Sequence, residues 1–182
     1  MQNQYKLYII DKNHIEETLS KLYEEFTEND IIKINSNGIA IKYDYSTKDY
    51  KYILEKMSQF KASQNILTAS KFLMILKRCI EKDIFIDEIK LFESLNEDND
   101  RISQYVNKIN YNKEEKEKYK KLLLDELEWF NYDEGIDIKS MAFRMESKFK
   151  PIKIPFSILD NGVVLIDNLE IIDEVIEIIK VI

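Results

Sequence analysis

The sequence predicts an α+β fold in which a β-α-β-β unit at the N-terminus and a β-β-α unit at the C-terminus form a small antiparallel sheet. Two hairpin turn signals support this prediction, Asn37-Gly38 and Asp160-Asn161-Gly162, each between runs rich in β-branched residues. The helical middle, roughly residues 47–148, repeats its apolar residues with the period of a helix. Because no Pro/Gly/Ser-rich linker interrupts the chain, we expect a single domain over 1–182, with the middle as a candidate subdomain.

The N-terminal unit begins with a β-rich run, Tyr5–Ile10. Asn13 and Glu16 then have the spacing of a capping box, which predicts the start of a helix. Its apolar residues fall on one helical face: Ile15, Leu19, Leu22, Tyr23 and Phe26.

A hairpin is predicted over residues 31–43. If Asn37-Gly38 is a two-residue type I′ turn, Ile34 pairs with Ile41 and Ile32 pairs with Tyr43. All four side chains then lie on one face of the sheet, so that the turn and the hydrophobic pattern agree.

The first half of the middle predicts two helices with a short break at residues 61–65. Ser46 and Asp49 cap the first, whose apolar stripe contains Tyr50, Ile53, Leu54, Met57 and Phe60. The second, Ile66–Lys82, is apolar on most of its surface, which predicts a buried, central helix.

The second half of the middle predicts shorter helices over Ile84–Leu95 and Arg101–Ile109. Asn112 and Glu115 cap a longer helix, for which these residues are expected to point inward: Tyr119, Leu122, Leu123, Leu127 and Phe130. Residues 138–149 are ambiguous between helix and strand, and the spacing of Ile138, Met141, Met145 and Phe149 favours a helix.

The C-terminal unit predicts strands over Ile152–Leu159 and Val163–Ile166. Pro155 places the first of these at a sheet edge or a bulge, because proline cannot donate a ladder hydrogen bond. Asp167 and Glu170 predict the cap of a final, strongly apolar helix. We expect this helix to pack against the sheet; the alternative is that it forms a homodimer or partner surface.

Composition excludes several classes of catalytic site. The 182 residues include one histidine (His14), one cysteine (Cys79) and three glycines. Zinc sites and thiol or imidazole catalysis need His and Cys in numbers, and phosphate-binding loops need clustered glycine. We therefore expect no cofactor, no metal site and no catalytic residues. Cys79 lies among Ile75, Leu76 and Ile80, which predicts a buried side chain.

Charge and processing signals bear on location. The net charge of −7 argues against nucleic-acid binding by the whole surface. The first residues show no secretory h-region, no apolar run is free enough of acids to span a membrane, and a single cysteine suits a reducing compartment, so a cytoplasmic location is expected. Only three of the 27 basic residues are arginine, a bias that indicates AT-rich coding and a low-GC bacterium, its phage or its plasmid.

Two acidic segments are the leading candidates for a binding surface. Residues 83–100 carry a net charge of −6, and residues 125–137 hold six acids, no basic residue and three aromatic residues. Acidic surfaces with interleaved aromatics suit a basic groove on a protein partner. The predicted partner-binding residues are Asp125, Glu126, Glu128, Trp129, Tyr132, Asp133, Glu134 and Asp137.

The alternative is a nucleic-acid interface on residues 48–82, whose net charge is +5. The two predicted helices of this segment could form a helix-turn-helix, although arginine is scarce and a turn glycine is absent. Its candidate contacts are Lys61, Lys71, Lys77 and Arg78. A second alternative is a metal-dependent hydrolase that uses Asp133, Glu134 and Asp137.

These observations lead to one expectation about function. The chain is expected to be a non-enzymatic binding protein that covers a surface of a protein partner, as an inhibitor, immunity protein or anti-defence factor does. It rests on the acidic aromatic segment and on the missing catalytic residue types.

Overall fold

The computed structural model describes residues 2–27, 30–43, 50–93 and 95–182. Within these ranges, eight strands in one antiparallel sheet and six α-helices confirm the α+β class. The strands are β1 (Asn3–Ile10), β2 (Ile31–Lys33), β3 (Gly38–Tyr43), β4 (Ala62–Gln64), β5 (Phe85–Leu91), β6 (Ile138–Glu146), β7 (Lys153–Leu159) and β8 (Val163–Ile166). The helices are α1 (Ile15–Glu25), α2 (Tyr50–Gln59), α3 (Ala69–Glu81), α4 (Asn96–Tyr111), α5 (Lys116–Tyr132) and α6 (Ile172–Ile179).

The two ends of the chain meet in the sheet, as predicted. Strand order is β2-β3-β1-β8-β7-β6-β5, and β4 pairs with β1 outside this path. The pairing of β1 with β8, from Asn3 opposite Ile166 to Lys6 opposite Val163, joins the N-terminal and C-terminal units.

Helices cover both faces of the sheet. Alternation along β1 sends Tyr5 and Leu7 to one face and Tyr8 and Ile10 to the other, so β1 contributes to two cores. The larger core packs beneath α3, α4, α5 and α6, and the smaller packs beneath α1 and α2. The two helices of the predicted basic segment, α2 and α3, therefore lie on opposite faces.

Two segments of the predicted helical middle are strands. Ile84–Leu95 contains β5 and residues 138–149 contain β6, so both helix predictions are wrong. A bulge at Asp87 and a second irregularity near Lys90 break the register with β6. Buried Ile86 and Ile89 therefore share one face although they are three residues apart, a step that helices also show, whereas Leu91 follows Ile89 at the ordinary strand step of two.

The hairpin at residues 31–43 is present, but its predicted register is wrong. Ile31 lies opposite Ile41, so the pairing is shifted by three residues and Ile32 and Ile34 belong to the larger core. The Asn35 side chain accepts hydrogen bonds from the backbone N–H groups of Asn37 and Gly38, which widens the turn. Because the shift is odd, the side chains of β2 change face.

The turn also contacts β1. Asn37 accepts a hydrogen bond from the backbone N–H of Ile10 at 2.8 Å, and its side-chain amide donates to the Ile10 carbonyl at 3.3 Å. Neither Asn37 nor Gly38 has the positive φ angle of a type I′ turn. The contact between Asn37 and Ile10 of β1 therefore determines the conformation of this turn, which differs from the type I′ turn that the local sequence predicts.

Helix caps follow the predictions only in part. Asn112 and Glu115 do bond reciprocally ahead of α5, at 3.3 and 2.9 Å. Asn13 does not cap α1, since it lies inside a single turn of 3₁₀ helix, Lys12–His14, whose cap is Asp11, the acceptor of the Asn13 N–H. Tyr23, expected inward, is half-exposed. The predicted Ser46–Asp49 cap lies outside the described residues.

The predicted turn between β7 and β8 is confirmed, but Pro155 is not on an edge strand. β7 lies between β6 and β8 without a bulge. Pro155 is tolerated because its backbone groups face β8 just beyond the Phe156–Ile166 pair, where only its carbonyl is used, by the Asp167 N–H at 3.2 Å. Gly162 has a φ of +77° in the turn.

The final helix packs against the fold as expected. Val175, Ile178 and Ile179 are buried in the larger core, and α6 contacts α3. Its lead-in turn is capped by Asn168, which accepts from the Glu170 N–H at 3.0 Å, rather than by the predicted Asp167. Homodimerisation through α6 stays a prediction.

The lead-in to α6 is also tied to the β6–β7 connection. The Glu170 carboxylate accepts hydrogen bonds from the Ser147 hydroxyl at 2.6 Å and from the Lys148 backbone N–H at 2.5 Å. These bonds favour the charged form and lower the pKa of Glu170 below its usual 4.5.

We expect Glu170→Gln to be less stable than the wild type at neutral pH, and the difference in stability between the two proteins to shrink as pH falls. A depressed carboxyl pKa stabilises the fold above the unfolded-state value, and this contribution is lost as pH falls through the lower folded value. Thermal melts of both proteins from pH 7 to about pH 3 measure this difference. A difference that stays constant across this range contradicts a stabilising role for the charged Glu170 side chain. The control is Glu16→Gln, at an exposed position of α1.

One end of the sheet is covered by a side chain of α4. Asn110 donates to the Ile86 carbonyl at 2.7 Å and accepts from the Ile86 N–H at 3.1 Å, at the outer edge of β5. A single amide thus replaces the two bonds that a neighbouring strand would make.

We expect Asn110→Ala to lower the free energy of unfolding by about 1–3 kcal/mol, because two partly buried backbone groups lose their partner. Asn107→Ala removes an exposed amide one turn away on α4 and should change it by less than about 0.5 kcal/mol. Urea unfolding measures both variants. Equal effects would show that the Asn110 bonds contribute no net stability.

Candidate functional site

The exposed side of α5 carries the apolar and acidic residues that the sequence singled out. Leu122, Asp125, Trp129 and Tyr132 follow each other at steps of three, four and three residues, so they share one helical face. Their apolar members are exposed by 37%, 45% and 74% for Leu122, Trp129 and Tyr132. We call these four residues the α5 face.

The opposite side of α5 holds this face in place. Leu123, Leu127 and Phe130 are buried in the larger core, and Leu124 lies at its margin. Leu122 was expected inward, which is wrong, because it lies one residue, or about 100°, from buried Leu123. The sequence shows a run of three leucines but does not show which of them faces solvent.

Two of the predicted acids lie to either side of the α5 face and are paired. Glu126 contacts Arg101 of α4 at 2.8 Å, and its side chain is mostly buried. Glu128 lies 4.0 Å from Lys77 of α3. These two carboxylates therefore connect α5 to α3 and α4, and they do not belong to the α5 face that contains Asp125.

The remaining predicted acids continue beyond the end of α5. Asp133, Glu134 and Asp137 are exposed in the connection to β6. Asp137 is oriented by the Asn131 side-chain amide, which donates to its Oδ1 at 2.7 Å. Asp133 and Glu134 directly extend the acidic end of the α5 face.

The fold brings the two acidic segments together at this end. The Phe92 N–H, just after β5, donates to the Asp137 carbonyl at 3.0 Å. Phe92, Glu93 and Glu134 line one open depression of about 510 Å³. Residues that lie some forty positions apart in the chain thus form one acidic surface.

Sequence reasoning missed two exposed apolar residues here. Phe92 is 51% exposed and Leu95 is 73% exposed. Both fell within the wrongly predicted helix 84–95, for which no exposed face was assigned. The usable signal was the run of acids directly after them, from Glu97 to Asp100, which is typical of a helix N-terminus.

The basic candidates are dispersed and engaged. Lys61 lies beside the His14 ring at 3.0 Å, and Lys71 donates to Asn65 and to the Ile66 carbonyl. Arg78 lies 3.7 Å from Glu81, and Lys77 faces Glu128. Because β4 and the sheet separate α2 from α3, no helix-turn-helix forms.

No metal centre is assembled within the described ranges, and the one cysteine is enclosed. No group of three or more His, Cys, Asp or Glu side chains lies close enough there to hold a metal ion, and this includes Asp133, Glu134 and Asp137. Cys79 is fully buried, and burial raises the pKa of its thiol.

Comparisons with known proteins give no relative. No protein-family model, curated protein or solved structure matches the chain. None of the helices in the described part of the chain is long and apolar enough to cross a membrane.

We expect Cys79 to resist thiol reagents in the folded protein, because its sulfur is enclosed and its thiolate is disfavoured. Reaction with an aromatic disulfide reagent should become rapid only when urea unfolds the chain, and its rate should follow the unfolded fraction. Rapid labelling without urea would show that the α3 core opens locally.

Proposed function

We propose that this chain is a non-enzymatic binding protein that covers a surface of a protein partner, and that the α5 face is its contact surface. The observation that carries the proposal is the row formed by Leu122, Trp129 and Tyr132, exposed on a helix whose other side is buried. Large apolar side chains held in water mark interaction surfaces when they lie together.

The chemistry of the row suits protein recognition. Tryptophan and tyrosine are enriched among the residues that dominate binding energy, because they remove much apolar surface from water at little cost in conformational entropy. Asp125 within the row, and Asp133 and Glu134 beyond it, add negative charge that favours a basic rim on the partner.

Rigidity supports the same role. Trp129 packs against buried Phe130, with ring centroids 5.3 Å apart, and the flanking Glu126 and Glu128 pair with neighbouring helices. A contact surface on an anchored helix loses little freedom on binding. Inhibition, immunity or anti-defence activity in a low-GC bacterium, phage or plasmid is the corresponding biological proposal.

The test uses a double variant of the α5 face, Asp125→Lys with Trp129→Ala. The matched control is Glu24→Lys with Tyr23→Ala on α1, which changes charge and aromatic surface equally on the opposite side of the sheet. Tagged wild type and both variants are incubated with lysate of a low-GC bacterium, with and without nuclease treatment, and captured proteins are identified by mass spectrometry.

We expect one dominant protein to be captured by the wild type and the control, and lost with the α5 variant. Against the purified partner, the α5 variant should weaken binding by about thirtyfold or more, which corresponds to about 2 kcal/mol. Its melting temperature should stay within about 2 °C of the wild type, because both side chains are exposed. Equal capture by both variants would exclude the α5 face, and capture that vanishes with nuclease would favour nucleic acid.

A further inference from the structure

A cleft lies between the last strand of the sheet and α4. β5 pairs with β6 on one side, and no other described strand pairs with its outer side. The cleft has a volume of about 440 Å³, within the usual range for ligand sites. Its walls include Ile89 and Leu91 of β5 and Ile102, Ser103 and Asn107 of α4.

The strand alternation shows which backbone groups face this cleft. Pro155 directs its backbone groups toward β8, so those of Arg144, which lies opposite it on β6, point toward β5. Ala142 and Ser140 follow the same alternation and meet Glu88 and Lys90. The intervening Ile89 therefore presents its N–H and C=O to the cleft.

The structure already shows how such groups are satisfied nearby. At Ile86, three residues before Ile89 on β5, the outward N–H and C=O are both bonded by the Asn110 side chain. Among the described residues, Ile89 has no such side chain bonded to it. No hydrogen bond links its outward N–H and C=O to the rest of the described chain. An exposed strand edge beside a helix is the geometry that accepts an added strand.

Charge indicates the chemistry of the added segment. Exposed Glu93 follows Leu91 of the cleft wall by two residues, and exposed Glu97 and Asp100 flank Asn99 of the same wall in the chain. The nearby cations are already engaged: Lys90 lies 3.0 Å from Glu88, and Arg101 pairs with both Asp98 and Glu126. The Leu91 end of the cleft is therefore negative and would attract lysine or arginine.

We propose that the cleft binds an extended, basic segment of a partner protein, which adds to β5 as a further strand. The segment exchanges backbone hydrogen bonds with Ile89 and places its other edge against Ser103 and Asn107 of α4. Its alternate side chains meet apolar Ile102 and the acidic end of the cleft. This inference uses residues outside the α5 face and does not rest on the proposed function.

The experiment titrates the ¹⁵N-labelled full chain with a peptide of alternating lysine and valine, up to about 2 mM, and follows amide shifts by NMR. Two comparison peptides isolate the contributions: one has glutamate for lysine, and one is N-methylated at every residue and so lacks its donors. We expect saturable shifts at residues 89–91 and in the Asn107 side chain, with at least about tenfold weaker binding of both comparison peptides.

A matched pair of variants tests the location. Ser103→Arg places a long cation in the cleft, whereas Gln104→Arg adds the same charge at the next exposed position, which is not part of the cleft wall. Ser103→Arg should reduce peptide affinity at least about tenfold, and Gln104→Arg by less than about threefold. The Asp125→Lys/Trp129→Ala variant should bind the peptide as the wild type does.

Several results would overturn the inference. Absence of shifts at the highest concentration excludes strand addition of this basic class, and equal binding of the N-methylated peptide shows charge attraction without backbone pairing. Shifts confined to the α5 face, or binding lost in the α5 variant, would assign the peptide to the other surface. Equal effects of the two arginine variants would remove the cleft from the binding site.

Discussion

The pairing of β1 with β8 is the constraint on which the rest of the fold depends. It joins units that begin and end the chain, and the β7–β8 turn confirms the junction, since the Leu7 N–H donates to the Gly162 carbonyl at 2.9 Å. A Cβ at Gly162 would lie 2.2 Å from the Asn65 carbonyl oxygen, so only glycine fits. Asn65 in turn donates its N–H to the Leu7 carbonyl, which anchors the segment between β4 and α3. The segment between β4 and α3 is thus anchored to the β1–β8 pair, which the two ends of the chain form.

Both candidate surfaces are consequences of how the helices cover this sheet. α5 buries one side in the larger core, and its α5 face is left in water with Trp129 and Tyr132 on it. α4 covers the outer edge of β5 only in part. Asn110 bonds to this edge at Ile86, and a cleft remains beside Ile89. One surface offers side chains and the other offers backbone groups, so they suit different parts of a partner.

The acidic character of this region has a tertiary origin. Acids of the 83–100 and 125–137 segments come together because the Phe92 N–H donates to the Asp137 carbonyl and Arg101 forms an ion pair with Glu126. The one cysteine of the chain, Cys79, is buried, and the one histidine, His14, lies beside Lys61.

The sequence alone determined the α+β class, the pairing units at both ends, the buried α3 and the solvent-facing Trp129 and Tyr132, because these depend on local period and composition. Only the tertiary structure decided β5, since the bulge at Asp87 gives Ile86 and Ile89 a three-residue step that helices also show. The strand character of β6 was likewise settled by its pairing with β5 and β7. The tertiary structure also decided the register at Asn37, which a contact with Ile10 controls. The cleft beside Ile89 follows from strand order, and strand order depends on contacts between residues far apart in the chain.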